Sequence, residues 1–495
     1  MGKIINRNNV FCSALRCKTE KSNSCSGSLR AVSVALMLAL LIGVFSMVMA
    51  SVAYASWPEY QGGASRTGSI NPRAQPPITT PIATSITLPG AAPALGGISV
   101  EALLETVNDT TYAYVQYPGG AVVGTGGGTR IAKVNLNTSS IVSGWGNSAL
   151  GYSTMGGASS FELATPYLDL TKGLIYAGIN NMSTSLLSCG IVSVNTGTGA
   201  VTSLVVLNNT AQINTPITKY GDCLYFGTYT STTGNMYYQY DLLTGVVNTF
   251  TGARGFYWAG AQIVNINGAD YIAFGSDAAV NGNHSYLYLT PAGANFGTHS
   301  NDINISNYVT SPGNVRSSIS KDDAYIYFTS QGGYLWRGTI STLLNGTPTL
   351  NVRTLPSGYS STSTPTISGN SYIYVGYYSL SGGGGSGGVV AVPQNNFTTG
   401  PMVTIYSGDA VQASPIVYNI TAGLPTNSKD FIYFTTNTRD GRGYCYSLAN
   451  PNSPSIAKIW NNTGVSNNSY ALQGFASDNG FLVYGDDTRN LYIMK

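Results

Sequence analysis

Thr165-Pro166-Tyr167-Leu168, a turn, and then Leu174-Ile175-Tyr176-Ala177-Gly178 form the stretch that decides the architecture. Both runs are short and rich in Tyr, Leu and Ile. Turn residues bound them, which is the pattern of short sheet strands. A Gly-containing hairpin and a short apolar strand follow. Asn195-Thr196-Gly197-Thr198-Gly199 then turns the chain back into a further strand over 201–207.

The unit recurs. Thr215-Pro216-Ile217 is followed by Leu224-Tyr225-Phe226-Gly227, and Thr364-Pro365-Thr366-Ile367 by Tyr372-Ile373-Tyr374-Val375-Gly376. Ser414-Pro415-Ile416 is followed by Phe431-Ile432-Tyr433-Phe434. Weaker copies of the second strand centre near Tyr114, Ala273, Tyr327 and Val483. Eight copies spaced about 53 residues apart, each with about four strands, predict an all-β, eight-bladed β-propeller of four-stranded antiparallel blades. One blade cannot cover both faces of its own sheet. Ring closure lets neighbours do so, and the units make one domain over 56–495. The last unit runs out of chain after three strands. The strand-like segment 82–88 (IATSITL) is expected to supply the fourth and close the ring from the N-terminal side.

Trp57-Pro58-Glu59-Tyr60-Gln61-Gly62 with Thr67-Gly68 resembles the opening W-P-x-aromatic-x-G…T-G of pyrroloquinoline quinone (PQQ)-like β-propeller repeat proteins, and the repeated units resemble the same family. The resemblance covers nearly all of 56–495. It implies the propeller fold. Quinoprotein dehydrogenases in that family bind PQQ and a calcium ion, whereas assembly scaffolds and surface proteins in it carry no cofactor. Dehydrogenase members have adjacent cysteines beneath the quinone and Trp after the T-G turns. Here no Cys-Cys pair occurs, and the turns read Thr198-Gly199-Ala200-Val201 and Thr244-Gly245-Val246-Val247. A fold does not carry its enzymes with it. The expectation is a protein without catalytic residues or cofactor, with the PQQ and calcium dehydrogenase kept as an alternative.

Several single residues carry chemistry of their own. Asp486-Asp487 is a paired carboxylate at a turn and a candidate calcium site, against solvated turn carboxylates as the ordinary alternative. Asp322-Asp323 has the same form. Trp258, Trp336, Tyr377 and Tyr378 are candidates for rings that stack on a sugar or a protein partner, against packing between blades. Gly384-Gly385-Ser386-Gly387-Gly388 matches a nucleophile elbow only in letters, because it lies in a Gly-rich tract without a His base. His284 and His299, the 2 histidines, sit in polar sequence with no third partner for metal or triad.

The rest of the chain sets the context. Residues 1–30 hold six basic residues and one acid. An apolar run covers 31–50, and Ala53-Tyr54-Ala55 follows. That order predicts a signal peptide over 1–55 and an extracellular or cell-surface location, with membrane attachment only through an uncleaved leader. The whole chain has 23 basic and 20 acidic residues. Without 1–55, 17 basic and 19 acidic residues remain, too even a balance for a nucleic-acid binder. Cys189, Cys223 and Cys445 remain as well, and a Cys189–Cys223 disulfide is weighed against three buried thiols. The partners expected are a protein or glycan at the cell surface, or other copies of the chain in a surface layer or filament.

Overall fold

The computed structural model describes residues 56–495 except 71–75, 79–80, 83, 90–96, 120–127, 157–162, 181–187, 209–210, 230–234, 253–254, 278–284, 370, 380–384, 419–429, 451 and 461–469. Residues 1–55, expected to be a signal peptide, His284 and part of the Gly-rich tract lie outside the described residues. Eight antiparallel blades follow one another, and no α-helix occurs among the described residues. Every predicted second strand is one. They run Thr110–Tyr117, Leu174–Asn180, Cys223–Tyr229, Ala269–Gly275, Tyr325–Ser330, Tyr372–Ser379, Phe431–Thr435 and Phe481–Gly485. Thr84–Thr87 pairs antiparallel with Asn490–Met494 and is the outer strand of blade eight, so the ring closes as the sequence predicts.

Apolar clusters lie between adjacent blades. Tyr176 and Ile191 of blade two pack with Leu224 and Phe226 of blade three. Tyr327 and Leu335 of blade five pack with Ile373 and Val375 of blade six. The repeated Tyr-x-Gly has a steric cause. A Cβ at Gly227 would lie 2.7 Å from Phe256 Cβ, and one at Gly376 would lie 2.8 Å from Val411 Cγ1. Both neighbours belong to the segment that enters the next blade. Three blades carry a polar residue in place of this Gly, and each reaches the next blade: Gln116 donates to Gly178 O (3.2 Å), Thr329 to Ser363 O (2.8 Å) and Thr435 to Gln473 O (2.8 Å).

Three of the aromatic candidates need correction. Trp336 is fully buried, stacked on Phe328 with its Nε1 donating to Ser330 Oγ, and offers no ring to a partner. Tyr377 and Tyr378 are buried too, because strand alternation places one on each packed face. Tyr377 packs edge-on against Tyr359, and the Tyr378 hydroxyl accepts from Gln331 Nε2. Cys189, Cys223 and Cys445 are all free thiols, with no Cys189–Cys223 bond. His299 pairs with Asp302 (2.7 Å) and stacks on Phe250.

Candidate functional site: the propeller axis

The residues just before the innermost strands meet at the axis. In each clear copy a Thr or Ser precedes the Pro, and from blade five to blade seven the hydroxyl at this level accepts from the blade before it. Gly260 N donates to Ser318 Oγ (3.1 Å), Ser318 N to Thr364 Oγ1 (3.0 Å) and Thr364 N to Ser414 Oγ (2.7 Å), which links blades four to seven in order. Thr215 Oγ1 accepts instead from Gly227 N within blade three.

Segment 57–70 is laid around the inside of this ring. Trp57 pairs with Leu104 of blade one. Pro58 O accepts from Leu168 N of blade two (2.7 Å). Arg66 donates to Thr218 Oγ1 of blade three and to Ala261 O of blade four. Ala64 O accepts from Gln262 Nε2 of blade four (2.7 Å) and Ser65 O from Lys321 N of blade five (3.0 Å). Thr67 O accepts from Ile367 N of blade six (3.0 Å), and Ser69–Ile70 pairs parallel with blade seven. The opening sequence motif is therefore an axial plug. Gly260 stands where blades five, six and seven carry the hydroxyls of Ser318, Thr364 and Ser414, and a Cβ there would lie 2.7 Å from an Arg66 nitrogen.

The plug holds buried charge. Glu101 accepts from Trp57 Nε1 (3.3 Å), Gln61 N (2.8 Å) and Gln61 Nε2 (3.0 Å). Burial pushes the Glu59 and Glu101 carboxyls up to about 7, against the pull of Arg66 on both and of those N–H donors on Glu101. Burial also lowers the Arg66 guanidinium. In the sequence Glu59 and Tyr60 are letters of a motif, and nothing there marks Arg66 and Glu101 as their partners. The available signal was charge inside an apolar motif of a chain with only 9% charged residues.

Above the plug lies a cavity lined by Tyr60 and by Thr165, Pro216, Trp258, Thr362, Gln412 and Gln473, from six different blades. Its volume is ≈ 350 Å³ counting the open mouth, but water centres can occupy only ≈ 20 Å³ of it. That is room for about one or two waters. No described lining residue is ionised at neutral pH. Thr165 is 1% exposed, and its Oγ1 has no hydrogen-bond partner. Trp258 is half-buried, and its Nε1 is likewise buried and unpartnered. Its backbone sits at φ 59°, a left-handed conformation that bulky residues avoid. Backbone bonds to Asn214 O (3.0 Å) and from Gly260 N (2.8 Å) and Ser318 Oγ (3.2 Å) hold it there. Strain sustained by its surroundings in this way is a mark of functional positions. Of the four aromatic candidates, Trp258 lines this cavity.

The described lining of this cavity does not fit PQQ, a planar tricycle with three carboxylates. The cavity lacks the space, and no Arg or Lys lines it to balance the charge. The calcium candidates serve the fold. Asp486 is buried and accepts from Thr488 N and Oγ1, Asn490 N and Nδ2, and Tyr492 OH (2.7–3.3 Å). Asp487 Oδ1 accepts from Tyr470 N (2.8 Å), and burial raises its carboxyl to about 6. Asp322 caps its turn, accepting from Ala324 N, Tyr325 N and Tyr327 OH.

No protein-family profile matches the chain, and no curated protein matches it. Solved structures do. Quinohemoprotein alcohol dehydrogenase from Comamonas testosteroni aligns at TM-score 0.53 and 9% identity, over 90% of this chain and 82% of that one. Quinohemoprotein alcohol dehydrogenase ADHIIG from Pseudomonas putida HK5 aligns at TM-score 0.52 and 11% identity, over 89% and 80%. The chain shares their eight-bladed propeller fold, as its opening motif and repeats imply.

Proposed function

We propose that this chain is an exported, non-catalytic propeller that binds a partner at the cell surface through its axial mouth. The observation that carries the reading is the uncharged axial cavity, floored by Tyr60 of the plug and edged by the strained Trp258. A rigid closed ring presents such a mouth at little entropic cost on binding. The leader composition supports export. Two assays test the reading. Protease shaving of intact producing cells is expected to release peptides of 56–495. Addition of PQQ and Ca²⁺ is expected to yield no alcohol- or sugar-dependent dye reduction. Saturable PQQ binding with turnover would replace this reading with a quinoprotein dehydrogenase.

A second reading, self-assembly into a surface layer or filament, is favoured by one feature. The outer strand of blade two, Val201–Asn208, carries no charge, exposes Val206 (49%), and has no partner on its outer edge among the described residues. Such an edge is a template for pairing with another chain. Concentration-dependent mass in solution that Val206→Lys abolishes would support assembly. A strict monomer would remove it.

A further inference from the structure

We infer that the axial cavity is a subsite for the hydroxyl-bearing end of a neutral sugar, with Trp258 as its stacking and donor residue and Thr165 as its hydroxyl partner. The inference rests on the binding reading above and names its ligand.

Three observations point the same way. The cavity is water-sized at its base, so it takes a hydroxyl or hydroxymethyl group and not a ring. The two polar atoms without partners are complementary to such a group: Trp258 Nε1 only donates, and Thr165 Oγ1 both donates and accepts. A buried polar atom left unpaired costs stability, and a ligand that pairs it recovers that cost. Around them stand the neutral amides Gln412 and Gln473 and the hydroxyl of Thr362. Beside Trp258 lies Tyr257, ring centroids 4.8 Å apart, and Arg316 sits over Tyr257 at 4.4 Å while paired with Asp277. The guanidinium is therefore already neutralised and does not call for an anionic ligand. Aromatic faces beside neutral amides suit a sugar, whose C–H face stacks while its hydroxyls bond.

The five tryptophans make the test direct. Trp57, Trp145, Trp336 and Trp460 are 0–4% exposed, so a ligand-dependent change in emission reports Trp258. The purified protein would be titrated with methyl α-glucoside, methyl α-mannoside, methyl β-galactoside and N-acetylglucosamine, with glucuronate as the charged comparator. Binding would be read by tryptophan emission and by saturation-transfer NMR. The expected result is saturable millimolar binding of at least one neutral sugar, weaker for glucuronate. Trp258→Phe keeps an aromatic face and loses the donor, and is expected to weaken binding by about tenfold. Thr165→Val is the decisive variant. It removes an unpaired buried hydroxyl, so the melting temperature is expected to hold or rise while sugar affinity falls by about five- to tenfold. A merely structural hydroxyl would not separate these two readouts. If no neutral sugar binds the folded protein, the proposal is overturned. A peptide that binds instead, and is lost in Trp258→Phe, would overturn the sugar and keep the binding mouth. Failure of both probes would overturn both readings.

Discussion

The hydroxyl of Tyr60 lies 2.9 Å from Oγ of Ser414, a residue 354 positions later in the chain. One bond thus joins the axial plug to the row of hydroxyls that links blades four to seven. Tyr60 also floors the cavity, so the plug builds both the closure of the ring and the base of the candidate site.

Loss of the plug's anchors is expected to cost global stability. Glu101→Gln replaces an acceptor with an amide that turns one N–H toward the donors of Trp57 and Gln61. Arg66→Ala leaves Glu59 and Glu101 without their buried counter-charge. Each change is expected to destabilise the fold by about 2–4 kcal/mol. Urea unfolding at pH 8, above the folded-state values of both carboxyls so that they are ionised, measures it, and a loss below about 0.5 kcal/mol in both would refute the plug as a structural element.

Stability is expected to fall as pH rises through neutrality. Glu59 and Glu101 move from 4.5 to about 7, and Asp478 from 3.8 to about 7, all through burial. A raised carboxyl binds its proton more tightly in the folded chain than in the unfolded one. Its contribution is complete below the unfolded value and disappears above the folded one. Melting temperature is expected to be higher at pH 5 than at pH 8, and Glu59→Gln is expected to flatten the difference. A profile that rises from pH 5 to 8 would contradict the protonated-plug picture.

The repeat glycines are expected to be intolerant of even one methyl. Gly376→Ala drives a Cβ against Val411 O and Ala413 O at 2.8 and 3.0 Å, backbone atoms that cannot rotate away. The expected loss is about 2–4 kcal/mol. Gly346→Ala, whose Cβ meets nothing, serves as the control. Equal effects of the two in chemical denaturation would argue against the close approach.

Ring closure is expected to depend on the N-terminal strand. Ile86→Pro removes a backbone donor opposite Leu491 and is expected to cost about 3 kcal/mol and expose the edge of Asn490–Met494. Hydrogen exchange of that strand and aggregation on heating are the readouts. Unchanged protection would show that blade eight stands without it.

Thiol chemistry separates the cysteines. Burial pushes the Cys189 and Cys445 thiols up to about 12, while Cys223 is half-buried and less perturbed. Timed alkylation and peptide mapping are expected to label Cys223 first, and the other two only on unfolding.

The amino-acid sequence alone determined the strand pattern, the eight-fold repeat and the closing strand. Tyr-x-Gly runs at regular spacing leave a one-blade sheet with two apolar faces, and only a closed ring covers them all. Residues such as Tyr176, Phe226 and Tyr374 declare that need locally, through alternation. Which rings reach the axis was decided by the tertiary structure. Tyr377 and Trp258 are both aromatic and both near Gly, yet one sits in a strand whose two faces are covered and the other in an entry turn at φ 59°. The plug was likewise beyond sequence reasoning, because Arg66 meets Thr218 and Ala261, and Tyr60 meets Ser414, only after eight blades have brought distant segments to one axis. Periodicity records what each strand buries against its neighbour. It holds no record of which atoms converge where all the strands begin.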